Sequence, residues 1–303
     1  MNLFDTVIVQ PIFNLLMLIY GLIPDFGISV IIFTIIIRVL LWPLIKKQLH
    51  QAKAMRKMQP ELAKIKTKYK NNSQAQGVAM MELYKEHNIS PFGSIGVMLI
   101  QLPILIAMYR VVQIFVSHRD ELNKFTYGFM ENLPVVNNLV HNPDQFNQYF
   151  LGFIDLTQHA VSENGVVISL VVIALLASVL QFYTSKQMSP NSDNDKRLRD
   201  VLAEAGAGKE ADQAEVNAIM MRKMMKFMPI MLFFIMISLP GALALYMVTS
   251  NAVAYLQNKL ILGKDQQELQ QIASQKPGKT KKSAKQRAQK ATEAHITRIK
   301  AKD

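Results

Sequence analysis

The feature that most constrains this chain is the segregation of its apolar residues into blocks about as long as a bilayer is thick, with the charges held between the blocks. A helix rises about 1.5 Å per residue, so about 20 apolar residues cross the roughly 30 Å hydrocarbon core. Residues 26–45, 92–117 and 166–186 each form such a block, and 224–262 forms a longer one. The last block is too long for one crossing. The stretch "LPG" at 239–241 divides it into 224–239 and 241–262, because proline breaks a helix and glycine permits the turn. The first of these pieces is roughly 24 Å long as a helix, which is short for an average bilayer and fits locally thinned lipid. The sequence therefore predicts an all-α polytopic membrane protein, a bundle of five transmembrane helices.

The segments between the blocks carry the orientation. Lys and Arg are dense from Lys46 to Lys70, from Lys186 to Lys226 and in the tail after Lys264, which mark the expected cytoplasmic segments 46–91, 187–223 and 263–303. The segment 118–165 offers only Arg119 and Lys124 against Asp120, Glu121, Glu131, Asp144, Asp155 and Glu163. Positive residues stay in the cytoplasm, so 118–165 is expected outside, with the C-terminus cytoplasmic and the N-terminus outside. Within 46–91, two charged helix-prone runs flank the turn-like "NNSQAQG", which predicts a cytoplasmic helical hairpin with a strongly basic first arm. The tail is rich in Lys, Arg, Ala and Gln and has too little apolar content to bury a core, so it is expected to be disordered when free.

The N-terminal stretch "TVIVQPIFNLLMLIYGLI" admits two readings. It is long enough to be a sixth span, yet Gln10, Asn14 and Gly21 recur near helical spacing and Pro11 interrupts the run. An amphipathic helix lying on the outer surface fits the same pattern and is the preferred reading for 1–25. No Lys or Arg precedes the apolar stretch and no small-residue cleavage site follows it, so no secretory signal is expected.

A few polar residues inside the blocks are the candidates for function. Arg38 stands alone in "TIIIRVLLWP", and arginine cannot shed its proton to escape an apolar setting. A charge at the centre of a membrane helix costs about 2.5–3.5 kcal/mol on insertion scales and is a functional candidate by default. Arg38 lies roughly 12 Å from the membrane boundary marked by Lys46. It can snorkel or bond backbone carbonyls, or it can sit in a water-filled groove and await an acidic group on a passing substrate. The spans contain no Asp or Glu to pair with it. Gln101 either faces such a groove or makes a helix-packing hydrogen bond. Pro103 is expected to kink its helix, and Arg110 to snorkel near the outer end. Met224, Met228 and Met231, with further methionines around them, either form an adaptable surface for varied hydrophobic clients or serve as apolar filler.

Several chemistries lack their residues. The chain has no cysteine, which excludes disulfides and thiolate catalysis. All six histidines lie outside the spans, H-E-x-x-H is absent, and no Walker-type or Rossmann glycine pattern occurs. No enzyme activity, cofactor or metal is expected. A solute transporter or channel with Arg38 as an anion site is the rival class, but it would be expected to show an internal repeat, and none is visible.

Longer motifs carry a family resemblance. "AMRKMQPELAKIKTKYKNN", "MMELYKEHNISPFGS" and "MLIQLPILIAMYRV" resemble the cytoplasmic hairpin and second span of the YidC membrane-protein insertase family. "FLGFIDLTQ" and "QFYTSKQMSP" resemble the approach to and exit from its third span, and "MMRKMMKFMPIMLFFIMISLPGALALYMVTSNAVAYLQNKLI" its final helical hairpin. The resemblance covers about 11–262. It implies a monomeric insertase and chaperone of the bacterial inner membrane that works without nucleotide hydrolysis, through a hydrophilic groove open to the cytoplasm and to lipid. In that groove Arg38 stands at the family's positive position, Gln181 matches a polar position, and Tyr246 is followed by Met247 where the family often has Trp. The implied partners are nascent membrane proteins, the ribosome through the basic tail, the Sec translocon or a targeting receptor, and membrane lipid.

Overall fold

In the computed structural model the described residues are 2–69, 72–87, 95–163, 165–188 and 227–274. Their secondary structure is helical apart from two two-stranded hairpins, so the all-α expectation is met. Residues Met1–Asn258 form one compact unit and Lys259–Asp303 a second.

A π-helical turn, Asp5–Val9, leads into α1, Gln10–Leu22. Asp25 caps the next helix, α2 (Phe26–Leu40), by accepting the Ile28 N–H at 2.9 Å. The expected span 26–45 is not one straight helix. It breaks at Leu41, and α3 (Trp42–Lys68) starts there after a bend of 62°. Pro43 is the cause, since it has no N–H to give the Val39 carbonyl and its ring clashes with that group. The bend turns the chain out of α2 directly into the first arm of the hairpin. After a turn, Asn72 caps α4 (Ser73–Glu86) by accepting from the Ala75 N–H, so the two hairpin arms form as expected. A small apolar cluster of Met58, Leu62 and Leu83 joins the arms.

Helix α5, Ile95–Val116, carries Pro103 within it. The segment after it is far more structured than its sequence suggests. It holds α6 (Leu122–Phe125), α7 (Pro134–His141), the pair β1–β2 (Tyr149–Phe150, Ile154–Asp155) and the pair β3–β4 (Val161–Ser162, Gly165–Val166). Leu122, Phe125, Met130, Val136, Leu139, Phe146 and Leu156 from this segment are buried in the same core as α1, α2 and α5. At the centre Phe115 stacks on Phe13 at 5.1 Å and on Phe146 at 5.1 Å, with Phe26 tilted against both. Aromatic pairs of this geometry add roughly 0.5–1.5 kcal/mol each beyond their burial. Arg119 ties the segment internally, donating to the Phe115 and Pro143 carbonyls and to Gln148 Oε1. Arg110 reaches past the last turn of α5 and meets Glu121 at 3.0 Å.

Helix α8 runs Ile168–Met188. Helix α9, Phe227–Ile237, is the described part of the expected fourth span. The last helix, α10, runs Gly241–Ser274, so it passes the expected end at 262 by three turns. Nothing in "GKDQQELQQIAS" stops it: a single glycine costs about 1 kcal/mol and the Gln, Glu and Lys around it favour helix. The segment 118–165, the cap of the bundle, starts α10 by accepting its first free amides, Gly241 N–H on the Gln158 carbonyl and Ala242 N–H on that of Leu156, both at 2.9 Å. By length and composition Asp5–Leu22 and Ile168–Gln187 each suffice to cross a membrane, as do α2 and α5 together with the bent continuations that follow them.

Candidate functional site

The C-terminal turn of α2, the middle of α5 and the centre of α10 converge on Arg38. Leaving the Asp25 cap, α2 turns its Phe26, Val30 and Phe33 side inward and buries Thr34, whose hydroxyl bonds the Val30 carbonyl at 2.6 Å. Arg38, one turn beyond Thr34, donates Nε–H and Nη2–H to a single oxygen, Ser250 Oγ, at 3.0 and 2.6 Å. Its backbone carbonyl lies where the helix breaks, and it accepts from Gln257 Nε2 at 3.0 Å. Across from these, Gln101 Nε2 of α5 donates to the Tyr246 hydroxyl of α10 at 3.0 Å.

Tyr246, Ser250 and Gln257 recur at i, i+4 and i+11, which places them on one stripe of α10. All three are buried, and each meets a group on α2 or α5. The adjoining stripe faces α8: Asn251 Nδ2 donates to the Ala177 carbonyl at 3.1 Å, and the Tyr255 carbonyl accepts from Gln187 Nε2 at 3.4 Å. The unusual polarity of "YMVTSNAVAYLQN" is thus turned inward, to two different neighbours. Polar side chains in lipid-embedded helices are placed this way because hydrocarbon offers them no partner.

Between these walls is a small cavity. Thr34, Arg38, Gln48, Gln101, Tyr246 and Ser250 form its polar lining, with aliphatic side chains of α2, α3 and α5 beside them. It leaves ≈ 30 Å³ for the centres of water-sized molecules, room for about two or three waters. Among the described residues no carboxylate is paired with Arg38, and the ion pairs join His87 to Glu61, Arg110 and Lys124 to Glu121, and Arg119 to Asp144. Among the described residues, then, the Arg38 cation is hydrogen-bonded but not neutralised. Among the described residues no group of three His, Cys, Asp or Glu is arranged to hold a metal.

Of the residues expected in a groove, the structure brings Arg38, Gln101 and Tyr246 together. Gln181 is on α8, bonded to Ser185 Oγ at 3.2 Å, and does not line this cavity. Met247 is buried one position from Tyr246, on the stripe that Asn251 continues toward α8, and does not line it either. Met231 is exposed on an apolar face of α9 that also presents Phe227, Ile230 and Phe234, Met228 is half-buried, and Met224 lies outside the described residues. Sequence reasoning missed Ser250, Gln257, Thr34 and Gln48. For Ser250 and Gln257 a signal existed, their recurrence on the helical stripe of Tyr246.

An all-α bundle of membrane-spanning helices closed around an unneutralised arginine defines a polytopic membrane protein with a polar site buried among its spans. The sequence matches the family described as 60Kd inner membrane protein over residues 18–268, and the chain belongs to that family. Among curated relatives, a protein of Tolumonas auensis named membrane protein insertase YidC is 31% identical over 254 residues, 84% of this chain and 36% of that protein. One of the same name from Fusobacterium nucleatum is 31% identical over 240 residues, 79% of this chain and 87% of that protein. The chain thus spans about a third of the first relative and most of the second. Among solved structures, the crystal structure of an active YidC insertase with its first transmembrane domain resolved aligns over 84% of this chain and 46% of that one, with a TM-score of 0.50 at 23% identity. That match supports the fold.

Proposed function

We propose that this chain is a membrane protein insertase, which receives nascent membrane proteins and moves short hydrophilic tails across the bilayer while their apolar segments partition into lipid. The carrying observation is Arg38, set among the spans and held by a neutral hydroxyl with no carboxylate paired to it among the described residues. An acidic group on a client tail can supply what the site lacks. At an effective dielectric of about 20, two opposite charges 4 Å apart attract by roughly 4 kcal/mol, enough to lower the tail's barrier yet weak enough for release. Burial of the client's apolar segment supplies the driving force, so no nucleotide hydrolysis is needed. The cavity now admits only water, and a tail must part α2, α5 and α10 to enter it.

The position of the site supports a groove open at one end. The 118–165 segment docks at Asp25, whose Oδ2 accepts the Leu151 N–H at 2.9 Å, and Arg38 is roughly 20 Å further along α2. The cavity therefore lies away from the cap and beside the bend into the hairpin. With the basic hairpin cytoplasmic and the acidic cap outside, the groove faces the cytoplasm. In this reading the chain is a monomeric insertase and chaperone of the bacterial inner membrane. The basic tail meets the ribosome by neutralising phosphates, the hairpin meets a targeting receptor or the Sec translocon, and the exposed apolar face of α9, with Met228 and Met231, meets lipid and client.

The test is insertion into liposomes carrying the purified chain, wild type against Arg38→Ala, with two single-span clients that differ only in an acidic or a neutral tail. Wild type is expected to insert both. Arg38→Ala is expected to lose the acidic client by roughly tenfold, about 1.4 kcal/mol, and to change the neutral one far less. Failure of wild type to insert either client would overturn the reading.

A further inference from the structure

The contact between Arg38 and Ser250 joins residues 212 positions apart, and its chemistry is specific. A serine hydroxyl has two acceptor lone pairs, and Arg38 engages Ser250 Oγ with two of its five N–H donors. An aspartate or glutamate on the same turn of α10 would hold the guanidinium as well but would cancel its charge. A hydroxyl directs the group and leaves the charge in place.

The side chain needs such direction. Arginine has a long flexible stem, and in a span it turns its head toward the nearest water. Ser250 is 1% exposed and sits within α10 with helix on both sides of it, so it offers a fixed point. The same helix also holds the other end of the residue. The break at Leu41 leaves the Arg38 carbonyl without its usual helical donor, and Gln257 Nε2 provides one. The backbone is pinned two turns along α10 from where the head is pinned. Gln101 and Tyr246, bonded to each other, close the facing wall of the same cavity.

We propose that Ser250 is the positioning residue for recognition of acidic client tails: it holds the Arg38 guanidinium turned into the cavity, aimed but not neutralised. The proposal rests on the insertase reading and adds to it the residue that sets tail preference.

The experiment uses the full chain in liposomes with the same acidic-tail and neutral-tail clients, comparing wild type, Arg38→Ala, Ser250→Ala, Ser250→Thr and Ser250→Asp. The readout is the ratio of acidic to neutral insertion, which a loss of folded protein does not change, because it lowers both alike. Ser250→Ala is expected to lower the ratio several-fold, Ser250→Thr to keep it near wild type because the hydroxyl remains, and Ser250→Asp to lower it as far as Arg38→Ala does. If Ser250→Ala and Ser250→Asp leave the ratio unchanged while Arg38→Ala shifts it, the positioning role is overturned and the insertase reading stands. If Arg38→Ala leaves the ratio unchanged, there is no electrostatic preference for Ser250 to set, and the proposal falls. If wild type inserts neither client, both readings fall together.

Discussion

Gly27, in the first turn of α2, is where the cap segment comes closest to the helix that carries Arg38. A Cβ placed on Gly27 would lie far inside van der Waals contact with Phe150 Cβ and the adjoining ring atoms. The neighbouring groups fix this approach: Asp25 accepts Ile28 N–H with one oxygen and Leu151 N–H with the other, so the hairpin of Phe150 cannot slide away. Overpacking of this kind costs about 1–3 kcal/mol. Gly27→Ala is expected to lower the thermal unfolding midpoint in detergent, and Phe150→Gly to lower it by loss of the half-buried ring. The double variant should be more stable than the sum of the two losses, since removing the whole Phe150 side chain, its Cβ included, makes room for the added methyl. Simple additivity would show that the close approach is not what Gly27 serves.

At the scale of elements, the arms of the hairpin are joined by a small apolar cluster of their own. They meet through Met58, Leu62 and Leu83, with Ile65, Met80 and Tyr84 partly buried around them, and that cluster is separate from the main core. The His87–Glu61 contact at 3.6 Å is solvent-exposed and adds little. Truncating a buried leucine typically costs about 2–5 kcal/mol, which a cluster this small cannot absorb. Leu83→Ala is therefore expected to speed amide exchange across residues 73–86 while exchange in α8 stays as in wild type, a local opening in place of global loss. Unchanged exchange in 73–86 would mean that something other than the cluster closes the hairpin. The helices themselves are legible in the sequence because each is a long run of one hydropathy bounded by charge or proline. The bend at Leu41 is less so: Pro43 is visible, but the apolar run passes through it to Ile45 and hides the break. The cap is illegible for a different reason. Its buried residues, among them Phe125, Met130, Val136 and Phe146, follow no period, and their partners Phe13, Phe26 and Phe115 are distant in sequence. The site divides in the same way. Arg38 and Gln101 stand out as single polar residues in apolar runs, whereas Ser250 is one of several small polar groups on α10 and gains meaning only from what α2 places against it.

Over the whole molecule, the placement of α1 decides whether it adds a crossing to those of the later helices. Its length and composition allow a crossing. Its contacts point elsewhere. Asn14, at the middle of the helix, is 3% exposed and bonds cap residues on both sides, donating to the Phe125 carbonyl at 2.7 Å and accepting the Tyr127 N–H at 2.8 Å. Tyr20, two turns on, accepts the Asn147 N–H at 2.6 Å, and Phe13 stacks on Phe115 at the last turn of α5. A helix crossing beside α5 would meet the cap at one end only, whereas α1 meets it at both middle and end. We propose that α1 lies along the membrane surface on the side of the cap. The chain has no native cysteine, so each introduced thiol reports alone. Leu3→Cys and Phe129→Cys, at positions 82% and 73% exposed, are expected to react with a membrane-impermeant maleimide from the same, extracytoplasmic side of sealed vesicles. Lys57→Cys, exposed on the first hairpin arm, is expected to react only from the opposite side. Labelling of Leu3→Cys together with Lys57→Cys would make α1 a sixth span, and the Asn14 contacts would then have to form within the bilayer at the depth of the last turn of α5.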